Sequence, residues 1–191
     1  MELILASQSP RRRELLGLFR LPFTVRVADI DETMDPTLPP AREVARVSLE
    51  KARAVERGED DVVIAADTIV VLGERLLGKP TSEAHAEEML TALSGRAHQV
   101  MTGVTVLCGD RAITATEITD IHFRELSSRE IRRYIATGEP MDKAGSYGIQ
   151  GGAALFVEKL QGDYYNVMGL PVCRLLQMLR ELAPDMMEEN P

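Results

Sequence analysis

The stretch Ile64–Pro80, IAADTIVVLGERLLGKP, begins as an apolar run that an aspartate, Asp67, interrupts. The residues around Asp67 are β-branched and apolar, which predicts a buried strand from Val62 to Leu72 and a hairpin return through Leu77. A buried carboxylate is costly unless a partner pairs with it, coordinates it or protonates it. Asp67 therefore either caps a turn or bulge through its backbone, or takes part in function.

Helices and further strands surround this hairpin. Leu3 to Ala6 reads as a strand, and Ser9 caps a helix that begins at Pro10. A second helix starts at LPPAREV and ends near Gly58, and later helices start after Thr81 or Ser82, at the capping-box pair Ser127 and Glu130, and from Pro171. HQVMTGVTVLC and AITATEITDIHF form a long hairpin, and LFVEKL is a further strand. Because helices interleave with hairpins, the sequence predicts an α/β (mixed α+β) fold around a mixed sheet. We expect one domain over residues 1–184 and a disordered tail over residues 185–191.

Composition limits the class of protein. The 191 residues are 45% hydrophobic and 27% charged, as in ordinary soluble globular domains. The N-terminus lacks a signal-peptide pattern, and no apolar run is long enough to cross a membrane. With only Cys108 and Cys173 there is no disulfide framework, so we expect a cytoplasmic protein. The net charge of −8 argues against a stable nucleic-acid partner.

Three consecutive arginines follow the first predicted strand in SQSPRRRELL. Arg11, Arg12 and Arg13 fall in the first helical turn, where each cation is unfavourable by about 0.3–1 kcal/mol. They are either solvated surface residues or part of an anion site that includes serine hydroxyls and free N–H groups. We favour the anion site, because phosphates bind where a strand leads through a turn into a helix.

A second candidate is Lys51, which lies on the same helical stripe as Val44 and Val55 and so faces inward. Its stem either covers the edge of the core, or its ammonium meets a phosphate or a buried carboxylate such as Asp67. Acidic residues accumulate in Ala28–Asp35, ADIDETMD, and the histidines lack zinc-site spacing. Carboxylates and cations without a histidine cluster favour hard-cation chemistry on phosphates.

The loop Asp142–Gly152, DKAGSYGIQGG, is rich in glycine but matches no nucleotide-binding fingerprint. Its glycines either permit positive φ in a long turn or let the backbone approach a ligand closely. Gln150 presents a donor and an acceptor side by side, which suits the edge of a nucleobase.

Five collinear segments give the chain a family resemblance: LILASQSPRRRELL, AADTIVVLGERLLGKP, LSGRAHQVMTGV, EPMDKAGSYGIQG and GDYYNVMGLPV. Together they resemble the Maf family, first associated with inhibition of septum formation. The resemblance implies a nucleoside triphosphate pyrophosphatase, often a homodimer. It also implies an inosine triphosphatase-like fold in which a bent central sheet and two lobes surround a deep cleft. The YGIQG segment resembles the branch acting on dTTP and UTP, and modified pyrimidine nucleotides are further expected substrates.

The resemblance also implies the site. Asp67 matches the proton acceptor of the family's ADT motif, with Glu32, Lys51 and Lys79 as further catalytic positions. The substrate-binding positions are Ser7, Arg11, Arg12, Thr68 and Gln150. Asp67 and Glu32 are expected to hold Mg²⁺ or Mn²⁺, and the sequence leaves open whether Asp67 is base, metal ligand or both. Alternatives are a 7-methyl-GTP pyrophosphatase or a non-catalytic nucleotide-binding regulator of cell division.

Overall fold

The computed structural model describes residues 1–35 and 37–188. The strands in this part of the chain are β1 (Leu3–Leu5), β2 (Thr24–Val25), β3 (Val62–Leu72), β4 (Arg75–Leu77), β5 (Ala97–Cys108), β6 (Arg111–Phe123) and β7 (Val157–Gln161). The helices are α1 (Pro10–Gly17), α2 (Pro40–Ala54), α3 (Glu83–Leu93), α4 (Ser128–Ile135), α5 (Tyr164–Met168), α6 (Val172–Leu182) and α7 (Pro184–Glu188). Within these ranges no helix combines the length and apolar character needed to cross a bilayer.

The strands form one mixed sheet in the order β2-β1-β3-β5-β6-β7, with β4 paired to β3 beside this path. β1 is parallel to both β2 and β3, whereas the β3–β4 and β6–β7 pairs are antiparallel. The mixed α/β class is therefore confirmed.

Strand β3 has the predicted bounds and returns as β4, which confirms the hairpin. Every residue of β3 except Thr68 is buried. A strand covered in this way reads as a nearly continuous apolar run, which is the pattern that surrounds Asp67.

The chain divides into two compact units. The first unit contains Met1–Asp67, Thr102–Glu117 and the chain from Gly169 onward, and the second contains Thr68–Met101 and Ile118–Met168. One core cluster of the first unit joins β1, α2, β3 and β5 through Ile4, Ala6, Ala52, Val55, Val63, Ala65 and Leu107. The single domain over 1–184 and the cleft implied by the resemblance stay predictions.

The predicted helix starts are confirmed where a cap was recognised. Ser9 caps α1, Ser82 caps α3, and Ser127 forms a reciprocal capping box with Glu130 at α4. Helix α2 ends at Ala54, earlier than the predicted end near Gly58, because Val55 takes an extended conformation.

Among the strands and α-helices of the described residues, three short elements were not predicted. They are β2, α5 and α7, of two, five and five residues. Helix α7 occupies residues 184–188, where the sequence led us to expect a disordered tail from residue 185. The rest of that tail, residues 189–191, lies outside the described residues.

Candidate active site

Helix α2 and strand β3 bring Lys51 to Asp67. Lys51 Nζ donates a hydrogen bond to Asp67 Oδ1 at 2.8 Å, and the same nitrogen lies 2.9 Å from Glu32 Oε2. Only 14% of the Lys51 side chain is exposed, so the predicted inward orientation is confirmed. The ammonium therefore joins two carboxylates that are 35 positions apart in the sequence.

The Lys51–Asp67 pair explains how a carboxylate is tolerated in a buried strand. Asp67 is 8% exposed, and its negative charge is paired with the ammonium of Lys51, which is itself mostly buried. Such pairs seldom add stability over an apolar pair, because both charges lose hydration. Their presence in a well-packed strand therefore favours the functional alternative for Asp67 over a turn cap.

The start of α1 places Arg12 in the same unit as this pair. Its Nε donates to the Gly169 carbonyl at 2.8 Å, and its Nη1 donates to Ser7 Oγ at 3.2 Å. Burial lowers the pKa of Arg12, an effect that the charge of Asp67 opposes. The guanidinium stays charged, since arginine is effectively always protonated in proteins.

The three arginines separate into different environments. Arg12 is fixed by Ser7 and Gly169, Arg11 is partly buried beside it, and Arg13 is exposed. The surface interpretation therefore fits Arg13, whereas the anion-site interpretation fits Arg12. Ser7 is buried and also accepts a hydrogen bond from the Ser9 N–H at 3.2 Å, which orders the turn into α1.

The acidic segment that carries Glu32 is held by two α2 residues that the sequence analysis missed. Glu43 is fully buried, and its Oε2 accepts from the Asp35 N–H at 2.6 Å. Arg46 binds Glu43 and donates to the Thr33 carbonyl at 2.9 Å. The Arg46 guanidinium lowers the pKa of Glu43. The sequence did carry one signal for this pair: Glu43 lies next to the inward-facing Val44, and Arg46 follows it at the i, i+3 spacing at which helical side chains interact.

The remaining predicted positions belong to the second unit. Thr68 is half-buried, while Lys79 and Gln150 are exposed. The glycine-rich loop is tied to the residue before Lys79, since Gly145 N–H donates to the Gly78 carbonyl at 3.0 Å. The functions of these three residues stay predictions.

The loop glycines serve the local fold. Gly145 has a φ of +68°, which only glycine adopts easily, and a Cβ there would come within 2.8 Å of Val70. At Gly151 a Cβ would clash with the carboxylate of Glu139, and at Gly148 it would crowd Lys143. The close approach that the glycines permit is thus to side chains of the same unit.

The carboxylates at Asp67 and Glu32 are the donors near Lys51 that could contribute to a cation site. Asp67 and Glu32 offer carboxylate oxygens, the ligand type that Mg²⁺ and Mn²⁺ prefer. No group of three or more His, Cys, Asp or Glu able to hold a metal occurs within residues 1–35 and 37–188. One or two carboxylates completed by water and phosphate oxygens is the usual arrangement for Mg²⁺ in nucleotide enzymes.

Comparisons with known proteins bear on the family and on the fold. A family profile described as Maf-like protein matches residues 2–182. A dTTP/UTP pyrophosphatase of Bacillus cereus is 49% identical to this chain over 185 residues, and one of Bacillus anthracis is 48% identical; each alignment covers 96% of this chain and 97% of the relative. A solved structure of a HAM1 protein from Coxiella burnetii, 17% identical, has a TM-score of 0.53 and covers 95% of this chain and 99% of that chain. The last likeness is one of fold.

Proposed function

This chain belongs to the Maf family, and from that premise we propose that it hydrolyses dTTP and UTP to the monophosphate and pyrophosphate. Relatives that are 48% and 49% identical over nearly the whole chain carry the name dTTP/UTP pyrophosphatase, which supports this substrate choice. The observation that carries the proposal is the buried Asp67 carboxylate bound by Lys51 in the central strand. In the proposed reaction, water attacks the α-phosphate and the pyrophosphate leaves.

Asp67 is the proposed acceptor of the proton from the attacking water. A carboxylate on a strand is rigidly placed, and the hydrogen bond from Lys51 to Oδ1 fixes its orientation. The other oxygen, Oδ2, is the one we assign to the water. Glu32, which shares the Lys51 ammonium, is proposed to help to orient the water.

Cationic and hydroxyl groups are proposed to bind the phosphates. The guanidinium of Arg12 is already oriented by Ser7 and Gly169, so this side chain would lose little entropy when phosphate binds. Arg11 and Lys79 are proposed to add positive charge for the phosphate chain and for the leaving pyrophosphate.

A divalent cation, Mg²⁺ or Mn²⁺, is proposed to be held by Asp67 and Glu32 together with the nucleotide. When bound, such a cation neutralises negative charge on the phosphate oxygens. Asp67 is thus proposed to serve as base, as metal ligand, or as both.

Base choice is assigned to Thr68 and Gln150. Uracil and thymine present an N–H between two carbonyls, and the amide of Gln150 offers one donor and one acceptor for that edge. The family resemblance further leads us to propose a cytoplasmic homodimer with a link to septum formation.

The direct test is a product analysis with Mg²⁺ and each of dTTP, UTP, CTP, GTP and 7-methyl-GTP. Monophosphate and pyrophosphate from dTTP and UTP are expected, with the activity lost in Asp67→Asn. Asp60→Asn is the matched control, since Asp60 is exposed.

Other outcomes select the alternatives. Turnover confined to 7-methyl-GTP would contradict the proposed branch and retain the reaction. Nucleotide binding by the folded protein without any turnover would favour the non-catalytic regulator of cell division.

A further inference from the structure

The turn that carries Gln150 is closed by its own backbone. Gly151 N–H donates to the Gly148 carbonyl at 3.1 Å, which leaves Ile149 and Gln150 as the two central residues. Ile149 is buried and anchors the turn, while Gln150 is exposed. A short turn of this kind fixes the direction of Gln150 only if its two ends are held.

One carboxylate and the hydroxyl that donates to it bind the backbone on both sides of this turn. Glu139 Oε2 accepts a hydrogen bond from the Gly152 N–H at 3.0 Å. Its Oε1 accepts from the Tyr134 hydroxyl at 2.9 Å, and that hydroxyl oxygen accepts from the Gly148 N–H at 3.0 Å. We refer to Glu139 and Tyr134 together as the turn brace.

The turn brace is itself rigid. Tyr134 is 5% exposed, and its ring packs edge-on against Phe156 with centroids 5.2 Å apart. Burial raises the pKa of Tyr134, and the neighbouring Glu139 raises it further, so the hydroxyl keeps its proton and can donate it. Lys143 Nζ donates to the Glu139 carbonyl at 2.6 Å and fixes the backbone of the residue that carries the carboxylate.

The glycines of the turn match the brace. The Glu139 carboxylate occupies the space that a Cβ at residue 151 would need. A Cβ at residue 152 would come within 3.2 Å of the Tyr134 ring. The turn thus uses glycine where the brace comes closest to its backbone.

We propose that Glu139, acting with Tyr134, is a positioning residue for base selection, because it sets the direction in which Gln150 is presented. This inference rests on the proposed function of Gln150 in reading the base. Glu139 binds the backbone of the turn and acts through Gln150.

Equilibrium binding tests the inference without requiring turnover. We would titrate wild type, Glu139→Ala, Gln150→Ala and the double variant with the α,β-methylene analogues of UTP, CTP and GTP. Wild type should prefer the UTP analogue. Each single variant should lose about tenfold of that preference, the effect of one well-formed hydrogen bond. The double variant should lose no more than Gln150→Ala, because residues that act as one unit are non-additive.

Two further variants separate positioning from general damage. Tyr134→Phe keeps the ring packing on Phe156 and removes only the hydroxyl, so it should lose selectivity in the same direction even if Glu139→Ala folds poorly. Glu158→Ala, at an exposed glutamate of the same unit, should match wild type. With hydrolysable UTP, KM should rise about tenfold in Tyr134→Phe while kcat changes less than about threefold.

The outcomes are distinguishable from those of the proposed function. Unchanged selectivity in folded Glu139→Ala and Tyr134→Phe, with selectivity lost in Gln150→Ala, would overturn the inference and leave the function intact. Unchanged selectivity in Gln150→Ala would overturn the inference and its base-reading premise together, even if dTTP and UTP are hydrolysed. Equal binding of the three analogues by wild type would overturn the inference, and failure of wild type both to bind any analogue and to hydrolyse dTTP or UTP would overturn both proposals.

Discussion

Lys51 Nζ and Asp67 Oδ1 lie 2.8 Å apart, although one residue belongs to a helix and the other to a strand. Glu32 approaches the same nitrogen from the acidic segment, so the lysine is shared by a mostly buried carboxylate and a mostly exposed one. Removing the cation therefore affects the fold and the proposed chemistry through the same atom.

Lys51→Met should lower the free energy of unfolding by about 3 kcal/mol, because Asp67 would remain buried without its cation. The double variant Lys51→Met/Asp67→Asn should recover part of this loss, since the uncompensated charge is gone. Urea unfolding of wild type, Lys51→Met, Asp67→Asn and the double variant gives the coupling energy. Lys159→Met, at an exposed lysine, is the control. If Lys51→Met and the double variant lose the same free energy of unfolding, the charge explanation is contradicted.

Arg46→Met should weaken the hold on the acidic segment, because Arg46 binds both Glu43 and the Thr33 carbonyl. A loss of about 2–4 kcal/mol in unfolding free energy is expected for a buried carboxylate deprived of its partner. Arg42→Met, at an exposed position of the same helix, should change stability by less than about 0.5 kcal/mol.

The pH dependence of the same variant gives a second measurement. The pKa of Glu43 is lowered in the folded protein, so its contribution is present above the unfolded pKa, about 4.3, and is lost as pH falls through the folded pKa. Arg46→Met should flatten this part of the stability curve below about pH 5. A wild-type slope retained in Arg46→Met would contradict this assignment.

His98 should make the second unit sensitive to acid over a different range. Burial lowers the pKa of His98 to about 4, and His122 adds to this, while the backbone of Arg96 opposes it. Its Nε2 lies 2.8 Å from the Tyr147 hydroxyl, and its ring packs edge-on against Phe123. The folded protein therefore holds the imidazole neutral where the unfolded chain would bind a proton.

The contribution of His98 to the free energy of unfolding is therefore fully present above the unfolded pKa of about 6.5. It is lost as pH falls from there towards about 4, by up to about 3 kcal/mol. His98→Gln keeps a polar group and cannot titrate, so the difference in unfolding free energy between pH 7 and pH 4.5 should shrink. A direct NMR titration of the His98 ring in the folded protein should show no midpoint above about pH 5. A midpoint near 6.5 would contradict the burial effect.

Gly103→Ala should strongly destabilise the first unit, because a Cβ on β5 would overlap the backbone of α2 at Val44 and Ala45. Backbone atoms cannot rotate away as a side-chain tip can, so a loss of about 3 kcal/mol or more is expected. Gly17→Ala is the matched control, since nothing lies within 4 Å of its Cβ position at the end of α1. That control should be neutral or stabilise by about 0.5–1 kcal/mol.

The features predicted from the sequence were those with local or periodic signals. The β-branched run around Asp67 predicted β3, and capping residues predicted the starts of α1, α3 and α4. Helical periodicity predicted that Lys51 faces inward. Helix α5 has five residues, too few for a periodic pattern to emerge.

The supports of the candidate site were missed for a different reason. Glu139 of the turn brace binds Gly152, 13 residues away, and the contact from Arg46 to Thr33 spans the same separation. Both contacts join residues that only the folded chain brings together, and neither composition nor spacing predicts them. The glycine-rich loop was recognised, but its glycines were assigned to a ligand or to turns, whereas several of them make room for the carboxylate of Glu139 and the side chain of Lys143.

The hydrogen bond from Arg12 to the Gly169 carbonyl spans 157 positions. A chain synthesised from its N-terminus would carry Ser7, Glu32, Lys51 and Asp67 long before this acceptor emerges. Nascent or truncated chains that end before Gly169 would thus contain the proposed catalytic carboxylates and Ser7 but would lack the Gly169 carbonyl that accepts from Arg12. The phosphate affinity that we propose for Arg12 would then be completed late in biosynthesis, after Gly169 and the buried residues Leu175 and Leu179 of α6 have been added.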